Sequence, residues 1–229
     1  MAPDRVKNHF ESEAKEFDRI ILALIPYYPE MIQTLVDAIP FGSPESFRVI
    51  DLGCGTGTVA ALVLEAFPNA RVTCIDIAEN MIAIARTKLA AYPLVNYTVA
   101  DFNEFEFGGK YDVIVSSLAL HHLPTDGNKK KLYRRIYESL NSGGIFYNAD
   151  VVLGSNEFLK ALYLGKWRQF MGRSISIDEV EGKWIPKHNE EDHPAKLTDQ
   201  LEWLTEIGFA DIDVLWKYGN FAVYGGTRR

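Results

Sequence analysis

Three glycines at alternate positions, directly after a short apolar stretch, constrain this chain more than any other feature. The run from Val49 to Gly57 reads VIDLGCGTG. Glycine permits a sharp turn and the close approach of a ligand, and a following helix adds unpaired N–H groups and partial positive charge. A dinucleotide motif would need its third glycine at Thr58, and the carboxylate of Asp51 would repel a pyrophosphate. The pattern therefore favours a nucleoside ligand that carries a positive group.

Strand and helix patterns alternate along the middle of the chain. Apolar runs predict strands over 48–52, 71–75, 95–100, 111–116 and 145–151, and periodic segments predict helices over 58–67, 79–91 and 129–140. The sequence NSGG at 141–144 predicts a turn before the fifth strand. This alternation is typical of a parallel sheet with helices on both faces.

The end of the chain breaks the alternation. A helix is predicted over 198–207, and two strands, over 212–216 and 220–224, are separated by only three residues. Such a short link requires an antiparallel pair, because a parallel crossover needs a dozen or more residues. The predicted fold is α/β: a doubly wound, seven-stranded, mostly parallel sheet with an antiparallel C-terminal hairpin strand. The hairpin argues against an ordinary nicotinamide-dependent oxidoreductase.

The chain divides into three predicted parts. Residues 1–44 form an N-terminal helical cap, with one helix over 5–25 that ends at Pro26 and a second over 30–38. Residues 45–153 and 197–229 form the cofactor-binding domain. Residues 154–196 follow the carboxyl end of a central strand, so we interpret them as a lid insertion over the site, with a loosely packed connector as the alternative.

Composition limits the class of protein. The formal net charge of −7 argues against a general nucleic-acid binder, although the basic run from Lys129 to Arg135 leaves an RNA contact open beside the commoner solvated helix face. Two cysteines without metal spacing, and a start without an apolar signal core, predict a cytoplasmic protein with no structural metal. No segment is long and apolar enough to predict a membrane span. A homodimer is left open.

Acidic residues follow the second and third predicted strands. Asp76 suits the two hydroxyls of a ribose, with a helix N-cap as the alternative. Ile77 and Met81 would then border an adenine, or simply pack in the core. Asp101 could accept from the adenine amine while Phe102 packs on the ring, and a turn is the alternative for Asp101.

The glycine run resembles motif I of the class I S-adenosylmethionine-dependent methyltransferases. The stretch from Lys110 to Leu123, KYDVIVSSLALHHL, is similar to the fourth-strand motif of that family. The resemblance implies a Rossmann-like methyltransferase fold and S-adenosylmethionine as the cofactor. It implies cofactor contacts from the following residues: Asp51, Gly53, Cys54, Gly55, Asp76, Ile77, Met81, Asp101, Phe102 and Ser117. The catalytic candidates are His121, His122 and Asp150, each with a structural alternative, and the histidine pair lacks the spacing of a metal site.

A narrower resemblance covers both ends of the chain. Phe17-Asp18, Pro26-Tyr27-Tyr28 and the ending from Thr198 to Phe221 are similar to the carboxy-S-adenosylmethionine synthases of tRNA wobble-uridine modification. This resemblance implies that Tyr28 reaches over the cofactor. The chain departs from that family because the acidic stretch 189–193 stands where an arginine would bind the extra carboxylate, and because it keeps a third glycine. We therefore predict ordinary S-adenosylmethionine and a small-molecule acceptor, with cofactor conversion and a non-catalytic cofactor-binding subunit as the alternatives.

Overall fold

The computed structural model describes Lys7, Phe10 and residues 16–229. Its centre is a seven-stranded sheet in the order β3-β2-β1-β4-β5-β7-β6. The strands are β1 Arg48–Leu52, β2 Arg71–Asp76, β3 Val95–Val99, β4 Tyr111–Ser117, β5 Leu140–Val151, β6 Phe209–Tyr218 and β7 Phe221–Arg228. The first five strands pair in parallel, and β7 pairs antiparallel with both β5 and β6. The predicted sheet and its C-terminal hairpin are confirmed.

Helices pack around this sheet in the predicted alternation. They are α1 Phe17–Leu24, α2 Tyr28–Asp37, α3 Thr58–Ala66, α4 Glu79–Lys88, α5 Asp126–Ser139, α6 Glu157–Met171, α7 Ile177–Glu179, α8 Ile185–Glu191 and α9 Leu197–Ile207. A 3-10 turn covers Leu120–His122, and a π-helical turn, Val180–Trp184, joins α7 to α8. Among the described residues, no helix is long and apolar enough to cross a membrane.

The strand order reverses at β1, which lies between β2 and β4. The chain leaves β1 toward one edge of the sheet and later returns on the other side, through β4, to build the opposite edge. In open α/β sheets, ligands bind in the crevice beyond the carboxyl ends of the strands at such a reversal. The glycine run begins at this carboxyl end, so the topology places the predicted site in the crevice.

Several predicted boundaries are wrong: α5 begins at Asp126 rather than 129, α4 ends at Lys88 rather than 91, β7 runs to Arg228 rather than 224, and the starts of β5 and β6 also differ. The residues 141–144, expected as a turn, belong to β5, which begins at Leu140. The pairing of β4 with β5 shifts register between Tyr111 and Val113, and Gly143 has a φ of 78°. The turn residues are therefore absorbed as an irregularity inside a longer strand. Similarly, β6 begins three residues early, because Gly208 ends α9 in a left-handed conformation and the chain enters the sheet directly.

The N-terminal helices lie against the segment that follows β5. Helix α1 ends before Pro26 as predicted, and the earlier part of the helix predicted over 5–25 lies outside the described residues apart from Lys7 and Phe10. Trp167 of α6 donates from its indole Nε1 to the carbonyl of Leu24 at 2.7 Å. The polar stretch 178–193, in which a loose connector was the alternative, is helical over most of its length.

The basic run on α5 is not a single solvated face. Lys129 is buried, and its Nζ donates to the carbonyl of Leu123 at 2.8 Å. The guanidinium of Arg135 donates to the carbonyls of Asn103 and Phe105. Both cations are used to hold loops, which removes them from the surface that an RNA contact would need.

Candidate functional site

One cavity opens at the carboxyl ends of β1, β2 and β4, and every predicted cofactor residue lines it. These residues are Tyr28, Asp51, Gly53, Cys54, Gly55, Asp76, Ile77, Met81, Asp101, Phe102 and Ser117. We call this space the cofactor cavity. Phe10, Phe17, Leu118 and His122 lie on its wall as well, and the sequence prediction did not include the first three. The cofactor role of these side chains stays a prediction, but the fold brings them together.

The glycine run has the left-handed backbone that its composition predicts. Gly53 has a φ of 71°, and a Cβ added there would lie 2.3 Å from the Cβ of Ala119. Gly57 has a φ of 82° and is the N-cap of α3. The loop is held by N–H groups of Gly53 and Cys54, which both donate to the carbonyl of Ile75 at 2.9 Å. A side chain at position 53 would therefore block the approach of a ligand to the backbone at this wall of the cavity.

Asp51 is a buried carboxylate to which no described residue donates a hydrogen bond of ordinary geometry. Its side chain is 1% exposed. Burial, and then the charge of nearby Asp76, raises the pKa of Asp51 to about 7, against a small lowering by the backbone N–H of Ala60. A buried acid in this state is stabilised by a cation that enters the cavity. The cavity thus has a site for a positive group.

Asp76 already supports the loop. Its Oδ2 accepts from the backbone N–H of Gly55 at 2.8 Å, and its Oδ1 accepts from the N–H of Ala78 at 2.9 Å. The second contact forms a local turn just before α4, but the N-cap of that helix is Ala78, so the N-cap alternative for Asp76 is wrong. A carboxylate offers about four lone-pair directions, so both oxygens can accept further hydroxyl donors from the cavity. Support of the loop by Asp76 is therefore compatible with the predicted ribose contact.

The segment after β3 is a turn that also borders the cavity. The Oδ1 of Asp101 accepts from the N–H of Asn103 at 2.8 Å, so the turn alternative is realised. Phe102 lies close to the glycine run, since a Cβ at Gly53 would be 3.5 Å from its ring. Leu118, at the end of β4, has a φ of 50°, a conformation that costs energy for a branched side chain and occurs often at functional sites.

A polar cluster attaches α1 to the glycine run. Lys88 donates from Nζ to Asp18 at 2.8 Å and to the hydroxyls of Thr56 and Thr58 at 3.0 Å. Asp18 also accepts from Thr56 at 2.5 Å. This cluster fixes the helix whose Phe17 and neighbouring Tyr28 cover the cavity. Burial, with the charges of Asp51 and Asp18, raises the pKa of Tyr28, which is therefore a neutral phenol at the cavity wall.

The charge of the cofactor cavity fits a cationic nucleoside. Three carboxylates line it, Asp51, Asp76 and Asp101, and its described lining contains no lysine or arginine. The remaining wall is largely apolar, with glycines where a ligand would touch backbone. S-adenosylmethionine, which carries a sulfonium and an ammonium and no phosphate, matches the unpaired Asp51 better than a pyrophosphate does.

A second cavity lies beyond the first, between α1, α6 and α8. It shares four wall residues with the cofactor cavity, namely Phe10, Phe17, Leu118 and His122. Its apolar side is formed by Ile20, Ile21, Leu24, Ile25, Val151, Trp167 and Trp184, and its polar end by His121, Lys187, His188, Glu191 and Asp192. We call it the second cavity. It is enclosed partly by the segment that was predicted as a lid.

The catalytic candidates belong to a buried cluster at the junction of the two cavities. His121 contacts Asp150 from Nδ1 at 2.5 Å and approaches Asp192 from Nε2 at 3.5 Å. His122 Nδ1 is 3.3 Å from Asp192 Oδ1 and 3.3 Å from the carbonyl oxygen of Glu191. The other oxygen of Asp192 contacts His188 Nδ1 at 2.7 Å. Asp150, expected to face an acceptor or to bond to the lid, instead accepts from the backbone N–H of His121 at 3.1 Å and contacts the His121 ring.

The charges in this cluster shift the pKa values of His121, His122 and Asp192. Burial alone would lower the pKa of His121, but Asp150 and Asp192 raise it to about 10. Burial and the neighbouring His121 lower the pKa of His122. Burial would raise the pKa of Asp192, but the surrounding histidines, His121 above all, keep it well below its ordinary value.

Sequence reasoning missed Asp192 and His188. They lie about 70 residues beyond the histidine pair in the chain, and nothing in their local pattern indicates a contact with it. The hydrogen bond from the N–H of His193 to the carbonyl of His121, at 2.8 Å, shows how the returning segment is attached. Only the helices after β5 bring the groups together.

Comparison with known proteins bears on the class of the chain. A family model described as a methyltransferase domain matches residues 50–146. A carboxy-S-adenosyl-L-methionine synthase of Nautilia profundicola is 25% identical over 93% of this chain and 91% of its own length. A malonyl-[acyl-carrier protein] O-methyltransferase of Acetivibrio thermocellus is 32% identical over 60% of this chain and 46% of its own length.

Solved structures share the fold. The DhpI–SAH complex has a TM-score of 0.68 at 16% identity, covering 100% of this chain and 98% of that chain. Human N-acetylserotonin methyltransferase in complex with SAM has a TM-score of 0.64 at 17% identity, covering 98% of this chain and 57% of that chain. The prediction of an S-adenosylmethionine-dependent methyltransferase is supported: residues 50–146 match a methyltransferase domain, the chain resembles the carboxy-S-adenosylmethionine synthases along nearly its whole length, and structures with this fold bind SAM or SAH.

Proposed function

We propose that this S-adenosylmethionine-dependent methyltransferase transfers the methyl group to a small molecule bound in the second cavity. The observation that carries the proposal is the junction of the two cavities at Phe17, Leu118 and His122. A donor in one cavity and an acceptor in the other would meet there, shielded from water by α1 and by the helices after β5.

The cofactor supplies an electrophilic methyl group on a sulfonium, which is a good leaving group. The protein then needs mainly to bind and align the two reactants and to exclude water. In this proposal Asp51 pairs with a positive group of the cofactor, and Asp76 accepts from its ribose. Asp101 and Phe102 border the adenine, and Tyr28 covers the reacting end.

The segment 154–196 acts as the lid in this proposal, and the described part of the N-terminal cap, through α1, completes the enclosure. Trp167 and Trp184 line the second cavity from the lid, and Ile21 lines it from α1. An acceptor enclosed by such walls is small and partly apolar, with a polar group toward the histidine end. Dimerisation and a cytoplasmic location stay predictions.

The lining favours ordinary S-adenosylmethionine over a carboxylated cofactor. An additional carboxylate would enter a space with three acidic side chains, and no lysine or arginine is present in the described part of the cofactor cavity. Cofactor conversion is the second candidate, because the synthase from Nautilia profundicola aligns along nearly the whole chain. Mass spectrometry of the ligand that co-purifies from the host separates the two, since a carboxylated sulfonium would support conversion.

The test of methyl transfer uses a matched pair of variants on α1. Ile21 is buried and lines the second cavity but not the cofactor cavity, whereas the adjacent Leu22 is 53% exposed and lines neither. With labelled S-adenosylmethionine and a host metabolite extract, we expect a product that gains one methyl group. Ile21→Phe should reduce its formation at least tenfold without changing the affinity for S-adenosylhomocysteine, and Leu22→Phe should change neither.

Two results would contradict the proposal. Normal methylation by Ile21→Phe would place the acceptor elsewhere. Tight cofactor binding by the wild type, without a methylated product in any extract, would instead indicate a non-catalytic cofactor-binding subunit. Calorimetry with S-adenosylhomocysteine, run on the same samples, shows whether each variant keeps an intact cofactor cavity.

A further inference from the structure

We propose that His121, His122 and Asp192 form a site for a divalent transition-metal ion at the polar end of the second cavity. Each residue offers one ligand atom, and these atoms lie within 4.8 Å of one another. The group departs from the sequence expectation of no metal, because its third member is contributed from the distant segment after β5.

The spacing of the ligand atoms fits one ion. The Oδ1 of Asp192 is 3.5 Å from His121 Nε2 and 3.3 Å from His122 Nδ1. Tetrahedral zinc with bonds of about 2.0–2.1 Å to nitrogen and oxygen separates neighbouring ligand atoms by about 3.3 Å. Small adjustments of buried side chains would therefore complete the coordination.

The groups behind the ligands hold them in the required orientation. Asp150 Oδ1 contacts His121 Nδ1 at 2.5 Å, so the opposite nitrogen of the ring, Nε2, faces Asp192. His188 contacts the Oδ2 of Asp192 at 2.7 Å and leaves Oδ1 toward the two imidazoles. A carboxylate behind a histidine ligand and a partner on a carboxylate ligand are typical supports of metal sites.

The charge balance also favours a cation. Asp150 and Asp192 are two largely buried carboxylates that share His121, with side chains 3% and 14% exposed. Buried charges are costly unless they are paired. A divalent ion with two neutral imidazoles would neutralise both carboxylates, and two imidazoles with one carboxylate form a ligand set that zinc and other divalent transition metals accept.

Three protein ligands leave a coordination position open toward the second cavity. Resting on the proposed function, this position would take an anionic oxygen or sulfur of the acceptor, because a metal ion lowers the pKa of a bound hydroxyl or thiol. The acceptor class is therefore a molecule with an ionisable O–H or S–H group at its polar end. The metal site itself does not depend on methyl transfer.

The test measures metal binding by the full-length protein without an affinity tag. After chelator treatment and dialysis, Zn²⁺ is titrated calorimetrically and Co²⁺ by its visible d–d absorption. We expect one equivalent per chain and a tetrahedral Co²⁺ spectrum for the wild type. His122→Gln and Asp192→Asn should weaken binding at least tenfold, whereas His193→Gln, which removes an exposed neighbouring imidazole, should bind as the wild type does.

Wild-type protein that binds no stoichiometric Zn²⁺ or Co²⁺, or ligand variants that bind as well as the wild type, would overturn the site. Circular dichroism and urea unfolding show that each variant is folded. Methyl transfer by metal-free protein would overturn the acceptor coordination and leave the proposed function intact. Stoichiometric metal binding at the histidine pair without methyl transfer would contradict the proposed function and leave the metal site intact.

Discussion

Replacing Asp51 with asparagine should make the cofactor-free protein more stable at neutral pH and unable to bind the cofactor tightly. Asp51 is buried, it has no ordinary hydrogen-bond partner, and its pKa is raised to about 7 by burial and by Asp76. An amide has the same shape and no charge to bury. We therefore predict that the Asp51 carboxylate lowers the stability of the free protein and increases its affinity for the ligand.

The magnitude follows from linkage. An aspartate in the unfolded chain titrates near 3.8, so a native pKa of about 7 corresponds to at most about 4 kcal/mol of destabilisation above pH 7. The sign follows from proton counts: between the two pKa values the native state binds more protons, so the free energy of unfolding falls as the pH rises. Below pH 4 both states are protonated and the cost disappears.

The assay is urea unfolding, followed by tryptophan fluorescence, at pH 5 and pH 8 without ligand. We expect Asp51→Asn to exceed the wild type by about 1–4 kcal/mol at pH 8, with a smaller difference at pH 5. Asp112→Asn is the control, because Asp112 accepts from the N–H of Arg48 at 2.8 Å and from Asn141 at 2.6 Å. That variant should lose stability.

S-adenosylmethionine should reverse the stability order of the two proteins, so that the wild type becomes more stable than Asp51→Asn. Its positive groups favour the ionised carboxylate, so wild-type affinity should rise between pH 5 and pH 7, whereas the affinity of Asp51→Asn should be weaker and lack that dependence. An asparagine variant that is less stable than the wild type at pH 8, or that binds the cofactor equally well, would refute the reasoning.

Three further predictions test other parts of the chain. Asp76→Ala should weaken cofactor affinity, measured by calorimetry, more than tenfold, because a charge-assisted contact with both ribose hydroxyls exceeds ~1.4 kcal/mol. The variant should also be less stable, since two backbone N–H groups lose their acceptor. Unchanged affinity would contradict the ribose assignment. Gly53→Ala should abolish cofactor binding, because its added Cβ would lie 2.3 Å from the Cβ of Ala119 and its φ is 71°. Gly165→Ala, in a helix with nothing near the added methyl group, should raise the melting temperature slightly. Equal effects of the two substitutions would refute the backbone argument. Lys129→Ala should lower the free energy of unfolding in urea by about 1–3 kcal/mol, because it leaves a buried carbonyl without its donor. Lys131→Ala, at an exposed position, should lower it by less than about 0.5 kcal/mol. Equal losses would contradict the burial of Lys129.

The sequence alone determined the sheet and the position of the cofactor cavity. Alternation of short apolar runs with helical periods requires crossovers, and the short link between the last two strands requires a hairpin. The glycine run and Asp76 are local signals at strand ends, and in a parallel sheet those ends meet at one edge. For this reason all the predicted cofactor residues reach one cavity.

Only the tertiary structure decided the second cavity and the cluster at its polar end. Asp192 meets His121 and His122 because the helices after β5 fold back over α1, a packing that depends on complementary surfaces and leaves no periodic trace in the chain. Likewise Lys129 reads as a surface cation until the fold supplies the carbonyl of Leu123 that it pairs with. Contacts between distant segments are set by packing, so the sequence predicted the residues of the cofactor cavity, whereas only the fold revealed the second cavity.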